Sequence, residues 1–364
     1  AAPYGIDGAL LRVWGDAITD AQIDAMLARE VETYRRHYGG DPVAGTSRPW
    51  TALALSGGGP DGAYGAGLLA GWTVRGDRPV FDTVTGVSTG AVIALFAFLG
   101  PQYDPALREI YTGYETSDLV TPRLFSGITS GTSLLDVAGY RALIEFYVDD
   151  DVVQALATAY GDGRNLLIGT TNIDAARPVV WNLTAIAASG DPQAKRLIHD
   201  VIQASSAIPG AFPPVLIPVV AGDQAYDEMH VDGGATQQVM VFSPRYSVRE
   251  VDETLGVVFE RSVYVVFNNK LSKPYDPVRP RLPAIAGRAA SSLIGGSSTG
   301  DLYRLYAVAQ RDGVALNFTA IPRDFDPQPA ELFDPVYMGK LYALGYRNGL
   351  VGTNWRPHPP DFAP

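Results

Sequence analysis

Residues 86–90 read Gly-Val-Ser-Thr-Gly, a spacing that makes the central serine, Ser88, a candidate nucleophile. An apolar run leads into this pentapeptide, and a second one of helical length follows it at residues 91–99. A serine at a tight turn between strand and helix exposes its hydroxyl at the positive end of the helix dipole, as in a nucleophile elbow. Gly86 and Gly90 would leave room for the turn and for a crossing helix. The alternative is an ordinary turn in which Ser88 caps the helix.

Three consecutive glycines, Gly57, Gly58 and Gly59, lie between another predicted strand and helix, at residues 51–55 and 63–72. We call residues 57–59 the glycine loop. Glycines at such a turn allow several backbone N–H groups to point at one spot, which suits an oxyanion hole or a phosphate cradle. A Walker loop is excluded because no Gly-Lys-Ser/Thr follows, and the spacing fits a dinucleotide fingerprint poorly. The pattern therefore favours an oxyanion loop that precedes the elbow.

A candidate base follows where a predicted hairpin, residues 215–231, leads into the sequence His-Val-Asp-Gly-Gly at 230–234. A carboxylate within hydrogen-bonding reach of a serine can accept its proton, and burial would raise the pKa of Asp232 and make it a better base. The alternative is an aspartate in an ordinary Asp-Gly turn. His230 shares the predicted strand face with Asp232, and we expect it to be structural.

These motifs, in this order, resemble the patatin-like phospholipase family over roughly residues 51–238, including the block Ala-Ser-Ser-Ala-Ile-Pro-Gly-Ala-Phe-Pro-Pro at 204–214. The resemblance implies a three-layer α/β/α fold with a central, mostly parallel sheet and helices on both faces. It also implies a Ser88–Asp232 catalytic dyad, an oxyanion hole made by the backbone N–H groups of the glycine loop, and no metal or organic cofactor. The implied activity is serine acyl hydrolysis of carboxylic esters of lipids or other esters.

One residue departs from the family pattern, because Asp61 stands where the family loop usually carries Arg or Lys. The backbone donors are unaffected, so acyl transfer is still expected, but the cation that would assist an anionic phosphate is missing. The net charge of −11 also opposes binding to anionic surfaces. We therefore expect neutral esters or zwitterionic lipids as substrates.

Two other functions stay open at this point. One is a catalytically weak or inactive lipid-binding protein on the same fold. The other is a Ser-His-Asp triad esterase, in which a late histidine serves as base. The only histidine late in the chain is His358, which stands in a Pro-rich tail.

The remaining segments are predicted to support these motifs. Strands that alternate with helices indicate a parallel sheet whose sites lie at the carboxyl ends of its strands. Predicted strands cover residues 166–172, 179–183, 215–220, 224–231, 262–268 and 315–321; predicted helices cover a stretch from Thr19 to a stop at Gly39, then 105–114, 134–160 with a break at 149–151, 191–205, 282–314 with an interruption at 295–298, and 337–350.

We predict one large domain with two additions. Residues 1–48 form a loop and helix packed on the core, residues 49–355 form the α/β hydrolase domain, and residues 356–364 form a Pro-rich tail. The long segment 101–133 could line an acyl pocket, form a lid or simply pack on the surface.

Composition narrows the class of protein. The absence of cysteine excludes disulfides and thiol nucleophiles, and the acidic balance argues against a nucleic-acid partner. The longest apolar run is shorter than the ~18 residues of a membrane span. We expect a lipid or ester substrate with peripheral membrane contact at most, and the sequence makes no prediction of oligomeric state. An N-terminus without Met is typical of a processed or a trimmed chain. Bacterial proteins that resemble this chain often carry an export or lipoprotein signal, so the resemblance implies a periplasmic, cell-envelope or secreted bacterial protein.

Overall fold

The computed structural model describes residues 1–40, 43, 47–122, 133–241, 247–271, 277–352 and 355–360, with backbone only at 37–38 and 282–295. The strands are β1 (Ala2–Pro3), β2 (Arg12–Trp14), β3 (Ser47–Leu55), β4 (Thr83–Val87), β5 (Thr121–Pro122), β6 (Leu135–Asp136), β7 (Asn165–Asn172), β8 (Arg177–Asn182), β9 (Val215–Ala221), β10 (Gln224–Asp232), β11 (Val258–Phe267) and β12 (Ala315–Ala320). The helices are α1 (Asp20–Tyr38), α2 (Gly62–Arg75), α3 (Thr89–Leu99), α4 (Asp104–Thr112), α5 (Thr116–Leu119), α6 (Ala138–Tyr147), α7 (Asp150–Gly161), α8 (Leu183–Ala188), α9 (Ala194–Ser205), α10 (Val248–Leu255), α11 (Leu282–Asp312) and α12 (Pro335–Val351).

One large sheet organises the fold. Its strands lie in the order β1-β9-β10-β7-β4-β3-β11-β12, with β8 pairing with β7 and β2 pairing with β8. The five strands from β7 to β12 run parallel, whereas β10, β9 and β8 join antiparallel. The sheet is therefore mostly parallel at its centre, as expected.

Both faces of the sheet are covered. Along β3, Leu53 and Leu55 belong to a buried cluster with α2 and α3, whereas Ala52 and Ala54 pack into a second cluster with Leu302 of α11. Successive side chains of a strand point to opposite faces, so the helices lie on two sides. This arrangement confirms the predicted α/β/α layering.

Helices α2 and α12 pack backbone against backbone. A Cβ atom at Gly67 or Gly71 of α2 would lie 2.1 or 2.0 Å from a carbonyl oxygen of α12. The same holds in reverse, because a Cβ at Gly345 would lie 2.1 Å from the carbonyl oxygen of Tyr64 and one at Gly349 would lie 2.0 Å from that of Leu68. Only glycine permits this approach. The helix that follows the glycine loop is therefore fixed against the last helix of the chain.

The predicted elements are present, with ends shifted by a few residues, and two predictions about helices were wrong. Helix α11 runs through residues 295–298 without the predicted interruption. Glycine lowers helix propensity by about 1 kcal/mol, and the packing of Leu302 and Leu305 against the sheet outweighs that cost. The helix expected from residue 191 begins at Ala194, and α8 was not predicted.

The two ends of the chain contact the sheet region. Thr19 caps α1 with a capping box, and Gly39 ends the helix, as predicted. Tyr34 of α1 packs with Val251 of α10. At the other end, the backbone of Arg356 pairs with Phe318 of β12. The division into segments 1–48, 49–355 and 356–364 stays a prediction.

The long predicted loop at 101–133 includes residues 123–132, which lie outside the described residues. Its role as a lid therefore stays a prediction.

Among the helices of the described residues, none combines the length and the apolar character that crossing a membrane requires.

Candidate active site

Ser88 lies at a strained turn between β4 and α3. Its backbone has φ 56° and ψ −128°, a region that costs a non-glycine residue of order 1–3 kcal/mol and persists only where the surroundings fix it. A Cβ at Gly86 would lie 2.3 Å from the carbonyl oxygen of Gly90, and one at Gly90 would lie 2.4 Å from that of Leu55. The two glycines therefore allow β4, α3 and β3 to meet at the serine.

Asp232 faces this serine from the end of β10. Its side chain is buried, and Oδ1 accepts a hydrogen bond from the backbone N–H of Gly234 at 2.7 Å. Burial raises the pKa of Asp232 to about 6, although hydrogen bonds from the Ser88 hydroxyl and the Gly234 N–H lower it. The carboxyl group is thus more basic than an exposed aspartate.

Residues of the block 204–214 accept hydrogen bonds from the backbone N–H groups of Ser88 and Asp232. The N–H of Ser88 donates to Oγ of Ser205 at 2.9 Å, and that hydroxyl donates to the carbonyl oxygen of Gly169 at 2.7 Å. The N–H of Asp232 donates to the carbonyl oxygen of Ala207 at 2.9 Å. One short turn therefore joins the ends of β4, β7 and β10.

The glycine loop lies beside Ser88. A Cβ at Gly57 would lie 3.1 Å from the Cβ of Ser88. Within the described part of the chain, no N–H group of residues 57–59 donates a hydrogen bond to the protein. Unpaired donors at a buried site are rare, and here they border a cavity. They are available to an oxygen atom of a bound molecule.

Asn268, which follows β11, fixes this loop. Its N–H and Nδ2 donate to Oγ and the carbonyl oxygen of Ser56, each at 2.9 Å. Its Oδ1 accepts the N–H of Gly65 in α2 at 3.1 Å. The loop is therefore held from the strand before it and the helix after it.

A cavity of about 570 Å³ joins these groups, since Ser88, Asp232 and the glycine loop all line it. Most other lining side chains are apolar, among them Val92, Ile110, Leu119, Val120, Leu143, Ile208, Phe212, Leu332, Phe333 and Met338. A mostly apolar cavity with a few convergent polar groups is typical of a ligand site. A second cavity, of about 190 Å³ between Trp14 and Trp50, contains none of the motif residues.

The cavity wall carries charges of both signs. Asp61 lines it and accepts a hydrogen bond from the hydroxyl of Tyr337 at 2.5 Å. Burial and the neighbouring Asp61 raise the pKa of Tyr337, so this phenol stays neutral and donates. Lys270 lines the same cavity. Sequence reasoning missed this cation, whose only signal was its position two residues after the predicted strand 262–268.

The three histidines whose side chains the structure describes do not join the dyad. His230 is fully buried, with Nδ1 3.0 Å from Oγ1 of Thr170 and Nε2 3.2 Å from Glu228, and it does not line the cavity. His199 contacts the carbonyl oxygen of Val148 at 2.7 Å. His358 hydrogen-bonds to the carbonyl oxygen of Pro359 in the tail and does not line the cavity. The expected structural role of His230 agrees with this placement.

Two further polar groups in the cavity were not singled out from the sequence. Gln238 lines it, and its Nε2 donates to the carbonyl oxygen of Gly234 at 3.0 Å. The hydroxyl of Tyr140 donates to Oγ of Ser206 at 2.8 Å.

Across the described ranges, no group of three or more His, Cys, Asp or Glu side chains is placed so that it could hold a metal ion.

Comparison with known proteins gives a matching family and similar solved structures. The family model described as "Patatin-like phospholipase" matches residues 53–243. Among solved structures, the chain is similar to VipD from Legionella pneumophila, at 12% identity and a TM-score of 0.40, over 85% of this chain and 68% of that one. No curated protein matches.

Proposed function

We propose, since this chain belongs to the patatin-like phospholipase family of lipid acyl hydrolases, that it cleaves carboxylic esters with Ser88 as nucleophile and Asp232 as base. The observation that supports this most directly is the meeting of the two side chains in one cavity. There Ser88 lies beside a buried carboxyl group whose pKa burial has raised to about 6 and the Ser88 hydroxyl lowers in turn. Near neutral pH that group is ionised and still a useful base.

The reaction has two steps. Ser88 Oγ attacks the ester carbonyl carbon while Asp232 takes the hydroxyl proton. The tetrahedral intermediate collapses, the bond to the leaving alcohol breaks, and Asp232 returns the proton to that alcohol. A water molecule then attacks the acyl-serine while Asp232 accepts its proton, the bond to Ser88 Oγ breaks, and Asp232 returns the proton to Ser88 as the acid is released.

The glycine loop supplies the oxyanion donors in this proposal. The N–H of Ser88 itself is already bonded to Ser205, so it is not the donor. The unbonded N–H groups of residues 57–59 border the same cavity. Each well-placed donor is worth about 3 kcal/mol of transition-state stabilisation.

Neutral esters and zwitterionic lipids suit the cavity best. Its apolar walls favour an acyl chain, since burying each CH₂ contributes about 0.8 kcal/mol. Asp61 disfavours an anionic group near the glycine loop, whereas Lys270 offers a cation elsewhere on the wall. A molecule with both charges, or with none, avoids an unbalanced charge in the cavity.

The test is hydrolysis of a chain-length series of neutral nitrophenyl esters and of a zwitterionic phospholipid. Ser88→Ala is expected to lower kcat by at least 10³-fold on both substrate types. Ser189→Ala, which removes a hydroxyl that bonds to the backbone of Ile186 and Asp191 and does not line the cavity, is the control. Turnover retained in Ser88→Ala would contradict the proposal. Lipid binding without turnover by the wild type would instead indicate a binding protein.

A further inference from the structure

The turn at residues 205–207, which ends α9, contacts both members of the proposed dyad. Ser205 Oγ accepts the N–H of Ser88, and the carbonyl oxygen of Ala207 accepts the N–H of Asp232. Both contacts measure 2.9 Å. The separation between nucleophile and base is therefore set partly by a segment that belongs to neither motif.

Ser205 has the chemistry that this position requires. Its hydroxyl accepts from Ser88 and donates to the carbonyl oxygen of Gly169, so it bridges the ends of β4 and β7. The residue is fully buried. An alanine there would leave the buried N–H of Ser88 without a partner, because that group forms no other hydrogen bond within the described residues.

The strained backbone of Ser88 gives this bond a further role. The residue has a positive φ of 56°, a conformation that relaxes unless neighbours hold it. The bond from its N–H to Ser205 acts directly on that peptide. Loss of the bond allows the peptide to rotate, and the hydroxyl then moves away from Asp232.

We infer that Ser205 is a positioning residue, which holds the Ser88 nucleophile in line with Asp232 through its bond to the Ser88 N–H. The inference rests on the proposed function, since it assumes that Ser88 and Asp232 react together. Ser205 does not line the cavity, so it would act on catalysis by fixing the position of Ser88 and not by touching the substrate.

Two kinetic signatures follow for Ser205→Ala. We expect kcat to fall by about 10- to 100-fold with KM changed little, because a small misplacement of reacting atoms lowers the rate without removing binding contacts. We also expect the acidic limb of the pH–rate profile to move to higher pH. The Ser88 hydroxyl lowers the pKa of Asp232, and a displaced hydroxyl does so less.

The other groups around Asp232 do not produce this shift. The Gly234 N–H bond to its carboxylate is independent of Ser205. Tyr140, whose pKa burial raises to about 12, is neutral throughout the range, and Asp61 and Lys270, which line the same cavity, are left in place by the Ser205 substitution. A change in the acidic limb therefore reports the Ser88–Asp232 contact.

Thr184→Val is the matched control. Thr184 is also fully buried, and its hydroxyl accepts the N–H of Leu166, near the start of β7, while donating to Oδ1 of Asn182 at 2.6 Å. This variant should lose stability as Ser205→Ala does, yet keep the wild-type kcat and pH profile. Ser205→Thr, which restores a hydroxyl, should recover part of kcat.

The experiment compares wild type, Ser88→Ala, Ser205→Ala, Ser205→Thr and Thr184→Val on one neutral ester over pH 4–9, with thermal unfolding alongside. If Ser205→Ala does not fold, Ser205→Cys keeps the volume and weakens the acceptor. If the Ser205 variant that folds keeps the wild-type kcat and the wild-type acidic limb, the inference about Ser205 is wrong and the proposed function is unaffected. An equal kcat loss in Thr184→Val would overturn it too. Turnover by Ser88→Ala, or no turnover by the wild type, would contradict the proposed function instead. In that case, the rate at which a fluorophosphonate labels Ser88 in the wild type and in the Ser205 variants would decide the role of Ser205.

Discussion

The carbonyl oxygen of Asn268 occupies the space in which a residue at position 58 would carry its side chain. An ideal Cβ on Gly58 would lie 1.9 Å from that oxygen, far inside van der Waals contact. The end of β11 therefore lies directly against the glycine loop. The loop cannot accept a larger residue here without moving away from Ser88.

Gly58→Ala should displace the glycine loop. We expect kcat to fall by about 100-fold, because one or more oxyanion donors move out of place, and the free energy of unfolding to fall by about 1–3 kcal/mol from overpacking. Gly339→Ala is the control, since a Cβ at Gly339 on α12 meets nothing within 4 Å. Ester kinetics and denaturant unfolding measure both effects. A Gly58→Ala enzyme with wild-type kcat would show that the loop supplies no donors.

Asp232→Asn should make the protein more stable and inactive. Because the pKa of Asp232 rises from 3.8 to about 6 on folding, the folded state binds the proton more tightly. This group's favourable contribution is complete below pH 3.8 and is lost as pH rises through 6. Above pH 7, removal of the buried charge should therefore raise the free energy of unfolding by about 2–3 kcal/mol.

Urea unfolding of wild type and Asp232→Asn at several pH values checks this expectation. The difference between the two proteins should grow from pH 4 to pH 7 and then stay constant. A difference that is flat over this range would mean that the carboxyl group is not buried in the ionised form at neutral pH.

His230→Gln should keep kcat within about threefold while lowering stability. The ring is fully buried between Thr170 and Glu228 and lies outside the cavity, so its removal leaves polar partners unsatisfied at a cost of about 1–3 kcal/mol. Measuring kcat and unfolding on the same preparation separates the effects. A loss of kcat as large as that in Asp232→Asn would revive the Ser-His-Asp triad.

Asp61→Arg should shift substrate preference towards anionic lipids. The substitution places a cation on the cavity wall where a carboxylate now accepts the Tyr337 hydroxyl. We expect the ratio of rates on an anionic phospholipid and a neutral ester to rise about tenfold. Asp223→Arg is the control, since it changes the net charge equally at an exposed turn. An equal rise in both variants would attribute the effect to bulk charge alone.

The sequence allowed prediction of the parts whose chemistry demands particular residues at a particular turn. Gly86, Ser88 and Gly90 were recognisable because only glycines permit a sharp strand–helix crossing at a serine. Asp232 was recognisable from its glycines and its place in the order of motifs. The structure brings Ser88, Asp232 and the glycine loop to one cavity, and the roles given to them are the proposal above.

The residues that hold these groups could not be predicted, because their partners are remote in sequence. Asn268 bonds to Ser56, 212 positions earlier, and the Ser205 hydroxyl bonds to Ser88, 117 positions earlier. Neither residue type is unusual after a strand or at a helix end. The continuous helix α11 was missed for a related reason, since tertiary packing overrode the low helix propensity of Gly295 and Gly296.

The glycine contact between α2 and α12 also bears on when the site can form during synthesis. Every motif residue has been translated by position 234, yet the helix that carries the glycine loop rests on a partner that begins at Pro335. This contact has a long sequence separation, and such contacts form late in folding. A growing chain therefore holds all of the proposed reactive groups before its glycine loop is braced, so we expect the site to become active only after α12 has been translated.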